Sequence, residues 1–183
     1  MSLHSKLVAL NSSLQSSLSF GNQITFYELC DQTERDGKTF PIENQGNGQG
    51  KLVHWKDTYR LQIYHRLLDT AKDNDFALGF GNKAQGTTTY TLRLVGIGTR
   101  KLLTAAGYED NVEFAESVAD AIPNILFSGT ATYLQVNDIE ATKQLVYNEE
   151  YEGIDMKHLK LEGIAFYIDY ELREKSCCQN NNR

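Results

Sequence analysis

Cysteine is scarce in this chain and irregularly placed. Cys30 and the neighbours Cys177 and Cys178 make an odd count with no repeating spacing, which argues against the disulfide framework of a small secreted fold. Cys177 and Cys178 read as incidental thiols rather than a soft-metal pair, and Cys30 has no basic neighbour in sequence to activate it. No apolar run approaches the ~20 residues of a membrane span, and the N-terminus has no signal-peptide core. The expected setting is a soluble protein of a reducing cytoplasm, with no membrane contact. Basic residues are outnumbered, 18 Lys and Arg against 24 Asp and Glu, for a net charge of −6. A surface that grips nucleic acid needs clustered Lys and Arg. Lys51, Lys56, Arg60 and Arg66 come closest, and Asp57 and Asp69 dilute them, so sequence-specific nucleic-acid binding is not expected.

Catalytic patterns are missing too. His4, His54, His65 and His158 stand in no metal-ligand spacing with one another or with Cys, and read as surface or edge residues. Asp69, Asp73 and Asp75 lack the further oxygen ligands and placed Glu of a calcium loop, and read as a solvated turn. Glu149, Glu150, Glu152 and Asp155 form an acidic cluster. Carboxylates do acid–base work only where burial or neighbours move their pKa, and a run beside Gly153 reads as an exposed turn. Gly96-Ile97-Gly98 has no third glycine for a dinucleotide fingerprint, Lys51 lacks the frame of a phosphate loop, and there is no nucleophile elbow. The chain is therefore expected to carry no catalytic, cofactor-binding or metal-binding residues and not to be an enzyme.

What is present is a folding composition: 40% hydrophobic residues with ten Tyr and eight Phe in 183 residues, enough for one domain with a full core. The clearest signal is the run 161–174. Ile164, Phe166, Ile168, Tyr170 and Leu172 fall on alternate positions, which predicts a strand with one deeply apolar face and one mixed face. At the other end, Leu3, Leu7, Leu10, Leu14 and Leu18 lay one apolar stripe on a helix, with Gly21 placed to stop it as a C′ glycine. That helix covers a sheet, or it also lines a subunit contact. Residues 111–122 predict a second amphipathic helix through Phe114, Val118, Ala121 and Ile122, capped by Asp110 or Asn111, with Glu113 and Glu116 near its start and Pro123 after it.

Between these lie strands: 24–29, an extended piece at 40–42, 51–68, 76–80, 87–103 and 130–136. Asp36-Gly37 is a turn signal and 69–75 a polar turn. Gly96 and Gly98 inside a strand imply a bulge, a bend or a close backbone approach. Residues 138–144 read as a connection. Glycine-rich stretches 44–50 and 81–86 are expected to be mobile loops, and 177–183 a disordered polar tail after a single domain spanning 1–176. The fold class is α+β: a mainly antiparallel sheet with an N-terminal helix and a second helix at about 111–122 packed on it.

The order helix 114–122, strand 130–136, Tyr147-Asn148-Glu149-Glu150-Tyr151-Glu152-Gly153, then Phe166-Tyr167-Ile168-Asp169-Tyr170 resembles small tail proteins of tailed phages and prophages. It is most similar to the tail-completion (tail-terminator) or head–tail joining group, of the sort carried by Bacteroidetes prophages. The resemblance implies a structural protein that forms a homo-oligomeric ring, commonly a hexamer, capping the tail tube and meeting the head connector. It also implies residence in the bacterial cytoplasm during assembly and in the virion tail afterwards. An acidic channel would let DNA slide through without sticking. The competing reading is a small-molecule-binding domain or enzyme of bacterial origin, with a pocket walled by Trp55, Tyr59, Tyr64 and His65.

Overall fold

The computed structural model describes residues 2–44, 50–53, 60–75, 85–122, 132–152 and 163–176. The strand predicted around 161–174 is β7, Gly163–Ser176. Its alternation works as expected: Ile164, Phe166, Ile168, Tyr170 and Leu172 are all fully buried on one face. The other face starts apolar with Ala165 and Tyr167, both buried, and becomes polar with Asp169 and Glu171. β7 lies inside a seven-stranded sheet of order β3-β2-β1-β4-β5-β7-β6. Its strands are β1 (Ile24–Arg35), β2 (Lys38–Asn44), β3 (Gly50–Leu52), β4 (Leu61–Asp75), β5 (Gln85–Thr99), β6 (Thr132–Glu140) and β7. Every neighbouring pair is antiparallel except β1 and β4, which run parallel. The fold is α+β, with a mixed sheet that is mostly antiparallel.

Helices cover the proximal half of the sheet, the end nearer Leu61, on both faces. On one face α1 (Leu3–Ser17) lays down Leu7, Leu10 and Leu14, and α3 (Asn111–Ala121) lays down Phe114, Ala115 and Val118. Both helices stand where the apolar periodicity put them. Asp110 caps α3, its side chain accepting from the Val112 and Glu113 amides, which satisfies two otherwise orphan donors. Helix α1 ends at Leu18 in extended backbone, so Gly21 is not its C′ glycine. It opens a single 3-10 turn, Gly21–Gln23, and is needed for closeness, since a Cβ there would run into the Gln15 carbonyl.

Strand bounds differ from expectation in several places. The strand expected over 51–68 is two, β3 ending at Leu52 and β4 starting at Leu61, and Gln85 and Gly86, expected in a loop, open β5. The polar stretch 31–35 continues β1, and Asp36 and Gly37, both at positive φ (55° and 70°), join it to β2 in a two-residue hairpin turn of the primed kind. Residues 69–75 are not a turn but the far half of β4, paired with β5 as far as Asp75 and Gln85. β5 stops at Thr99 rather than at 103. Residues 100–106 form α2 (Arg100–Ala106), which rolls Leu102 and Leu103 into the same core and ends on Gly107 at φ 84°. Gly96 and Gly98 sit in an unbroken ladder with β7 and mark close approach, not a bulge: Gly96 leaves room for the Phe166 ring and Gly98 for the Arg60 carbonyl.

β6 runs on to Glu140, and residues 143–150, read as a connection and an acidic turn, form helix α4 (Lys143–Glu150). It lies on the opposite face from α1 and α3. There Val146, Tyr147 and Tyr151 pack on Tyr27, Cys30, Tyr64, Val95, Ile97, Ala165 and Tyr167, a second core rich in tyrosine. The expected features at 45–49, 54–59, 76–84, Pro123, 153–162 and 177–183 lie outside the described residues.

The distal half of the sheet behaves differently. A row of cross-strand partners, Leu67–Leu92–Tyr170–Val136, runs across β4, β5, β7 and β6. On one outer strand the register shifts just beyond it, between Leu67 and Asp69. On the other it shifts just before it, between Val136 and Asp138. Each shift is a bulge that bends its strand and increases its twist. Distal to this line the residues of β4 from 67 to 73 are exposed on both faces.

Candidate functional site

Glu150, the last residue of α4, is fully buried although it was read as part of an exposed turn. Its Oε2 accepts from the Tyr64 hydroxyl at 2.8 Å. Its Oε1 accepts from the Tyr167 hydroxyl at 2.9 Å and from Arg66 Nη1 at 2.7 Å. Burial first, and the Glu150 charge second, hold the Tyr64 and Tyr167 hydroxyls well above their ordinary ionisation range, so both stay proton donors. A carboxylate with three protein donors on its two oxygens is a fastening for α4, not a base aimed at a substrate.

Beside it, Arg93 donates through Nε and Nη2 to the two oxygens of Asp169 at 2.7 and 2.8 Å. It also stacks its guanidinium 4.3 Å from the Tyr167 ring centre and stands 3.8 Å from Glu149. The Asp169 hydrogen bonds raise its pKa, with burial opposing in part. Arg66 and Arg93 are cross-strand partners, and each is matched by an acid. Two like charges opposite one another would otherwise repel.

His65 is not a surface or edge residue. It is fully buried under α1. The Asn11 amide nitrogen donates to the Tyr27 carbonyl at 3.1 Å, which turns Asn11 Oδ1 toward His65 Nε2 at 2.8 Å. Nε2 must then carry the proton, and Nδ1 accepts from the Tyr170 hydroxyl at 2.9 Å. Burial lowers the His65 pKa to about 3. Nearby, the equally buried Lys6 pairs with Glu174 and faces the Tyr90 ring. Cys30 lies in β1, buried, and burial followed by the Glu43 charge pushes its thiol up, which makes it an unreactive core residue.

The proposed aromatic pocket is not assembled from the residues that can be placed. Tyr64 and His65 are consecutive on β4 and point to opposite faces of the sheet, one to Glu150 and the other to Asn11. Trp55, Tyr59 and His54 lie outside the described residues, as do His158, Cys177, Cys178, Asp155, Lys56 and Asp57. Lys51 is on edge strand β3, Arg60 bonds to Gln23, and Arg66 is held by Glu150, so these bases form no common patch. Asp69 and Asp73 are exposed strand residues, and Asp75 ends the strand. Among the described residues no group of His, Cys, Asp and Glu is arranged to hold a metal ion.

The surface that stands open is the distal half of the sheet on the α4 side. There Asp69, Ala71, Lys72 and Asp73 of β4, Thr87, Thr89 and Thr91 of β5, and Glu171 and Arg173 of β7 line a shallow trough of about 670 Å³. Arg173 is spent on Glu171, to which it donates twice, and Asp69 and Asp73 outnumber Lys72, so the trough is slightly acidic. Among the described residues both of its flanks are open. Among the described residues β4 has no partner on its β1 side beyond His65, and β6 pairs only with β7. No protein-family model matches the chain, and no curated protein matches it. Among the described residues no helix is long and apolar enough to cross a membrane.

Proposed function

We propose that this chain is a non-enzymatic structural protein of phage tail assembly, forming a homo-oligomeric ring that caps the tail tube or joins it to the head. The observation that carries the reading is the pair of open strand edges on opposite sides of the distal sheet. A ring needs two different, complementary surfaces on each copy, placed so that a repeated rotation closes. Exposed strand edges are ready templates for pairing with another chain. The buried ionisable groups support the same reading. Glu150, His65 and Arg93 each spend their hydrogen-bonding capacity on other parts of the chain, as fastenings do. With the trough turned to the ring axis, a passing duplex meets Asp69, Asp73 and Glu171, which outnumber Lys72 and Arg173.

Light scattering over a concentration series and negative-stain images test the proposal directly. The chain is expected to form discrete rings, alone or on the ends of tail tubes polymerised from a phage tube protein, and to stop those tubes from lengthening. A chain that remains monomeric throughout and leaves tube length unchanged would overturn it.

A further inference from the structure

Ring formation requires a particular pair of surfaces, and the strand directions specify them. β4 runs toward the distal end, β5 returns, β7 runs out and β6 returns. The two outer strands of this four-stranded arm therefore point opposite ways. A second copy, rotated about an axis along the strands, brings its β4 beside β6 of the first with antiparallel polarity, the better-bonded arrangement. Pairing each edge with its own kind is disfavoured on the β4 side, because Asp69 and Asp73 would face the same acids of a partner.

The rows also give a register. Ala71, Thr89, Arg173 and Tyr133 form one row, and Asp69, Thr91, Glu171 and Gln135 form the next. Pairing at one level sets Tyr133, a ring left 57% exposed, beside Ala71, the smallest side chain on the trough side of β4. It sets Gln135, a donor, beside Asp69. The bulges adjoin the same row at both edges, so the two free stretches begin at one height. On the proximal side β4 is already taken by β1.

We infer that copies of this chain join head to tail by antiparallel pairing of the distal half of β6 in one copy with the distal half of β4 in the next, Tyr133 seating over Ala71. The inference rests on the ring reading and specifies its contact.

Lysine on a strand edge blocks pairing, and both sites are exposed enough to accept it, so the variants are Tyr133→Lys and Ala71→Lys in the full chain. Each variant alone retains one good edge with nothing to receive it and is expected to sediment as a monomer at concentrations where the unmodified chain forms rings. Mixed together they have one compatible junction, the Tyr133→Lys copy offering β4 and the Ala71→Lys copy offering β6. They are expected to give a one-to-one dimer that grows no further. Gln135→Asp, which sets a like charge beside Asp69 one row away, is expected to block rings in the same way should a lysine at the first row lower the melting temperature, and Asp69→Lys added to the same chain is expected to restore them. Rings that persist in Tyr133→Lys, Ala71→Lys and Gln135→Asp, or a mixture of the two lysine variants that regains full rings, would overturn the edge pairing and leave the ring itself standing. An unmodified chain that stays a monomer both alone and on tube ends would overturn both.

Discussion

Acid should loosen this fold through one residue. His65 is neutral in the folded chain down to about pH 3, whereas an exposed histidine in the unfolded chain takes its proton near pH 6.5. Between those values the unfolded state binds the extra proton, so stability falls as pH falls. The contribution is complete above pH 6.5 and is lost progressively toward pH 3. Each pH unit in that window is worth about 1.4 kcal/mol, and the integrated loss from pH 7 to pH 5 is about 2 kcal/mol. Burial is the reason that the proton is refused, and the ring's hydrogen bonds suit the neutral form. Nδ1 already accepts the Tyr170 hydroxyl, and Nε2–H already faces Asn11 Oδ1, itself held by the Tyr27 carbonyl bond. A second proton would put a charge in a fully buried site and make the Tyr170 hydroxyl turn its own hydrogen away from the ring. The experiment is urea unfolding of the native chain and of His65→Gln at pH 7 and pH 5. His4 and the carboxylates contribute equally to both proteins and cancel in the difference. The Gln variant should be less stable at pH 7 but should lose about 2 kcal/mol less on acidification. Equal losses in the two proteins would refute the buried, neutral assignment of His65.

Glu150→Ala should destabilise the chain by about 3–5 kcal/mol, because it strands Arg66 and two tyrosine hydroxyls in a dry site; thermal melting should drop by about 10 °C, and Glu150→Gln, which keeps the shape and loses the charge, should fall between. Gly96→Ala should cost about 1–3 kcal/mol by driving a methyl into the Phe166 ring. Phe166→Leu combined with it should be less harmful than the sum of the two single changes in denaturant titrations, and simple additivity would count against the contact. Asp110→Ala removes two capping bonds from α3 and should cost about 1 kcal/mol, with Asp110→Asn nearly neutral in the same assay.

Much of the frame was legible from residue spacing. The leucine stripe of α1, the Phe114–Val118 stripe of α3 and the alternation of β7 each bury one face and expose another, which is the condition under which periodicity reports structure. The distal half of β4 escaped because residues 67–73 are exposed on both faces, so no apolar alternation exists to be read. Helix α4 escaped because its short sequence mixes Leu145, Val146 and Tyr147 with acids, and its buried acid hides among exposed ones. Nothing local distinguishes Glu150 from Glu149. The distinction is made by Tyr64, Arg66 and Tyr167, far away in sequence. One clue was present: Arg66 shares a strand face with the buried Tyr64, and an arginine there calls for a distant carboxylate. His65 had no such clue, since its partners come from α1 and β7.

The position of β7 bears on how the molecule is made. It follows β6 in the chain yet lies between β5 and β6, bonded to both along most of its length. Among the described residues, β6 has no sheet to join until β7 has been synthesised. Chains emerge from the ribosome N-terminus first, at roughly 5–20 residues per second. A nascent chain that already holds α1 to β5 must therefore wait with one flank of β5 unpaired and β6 unplaced. In the edge-paired ring proposed above, β6 would be one half of every junction. A copy would then become able to join its neighbours only after translation has delivered the strand that holds β6 in place, and unfinished chains would lack the edge by which to enter a growing ring.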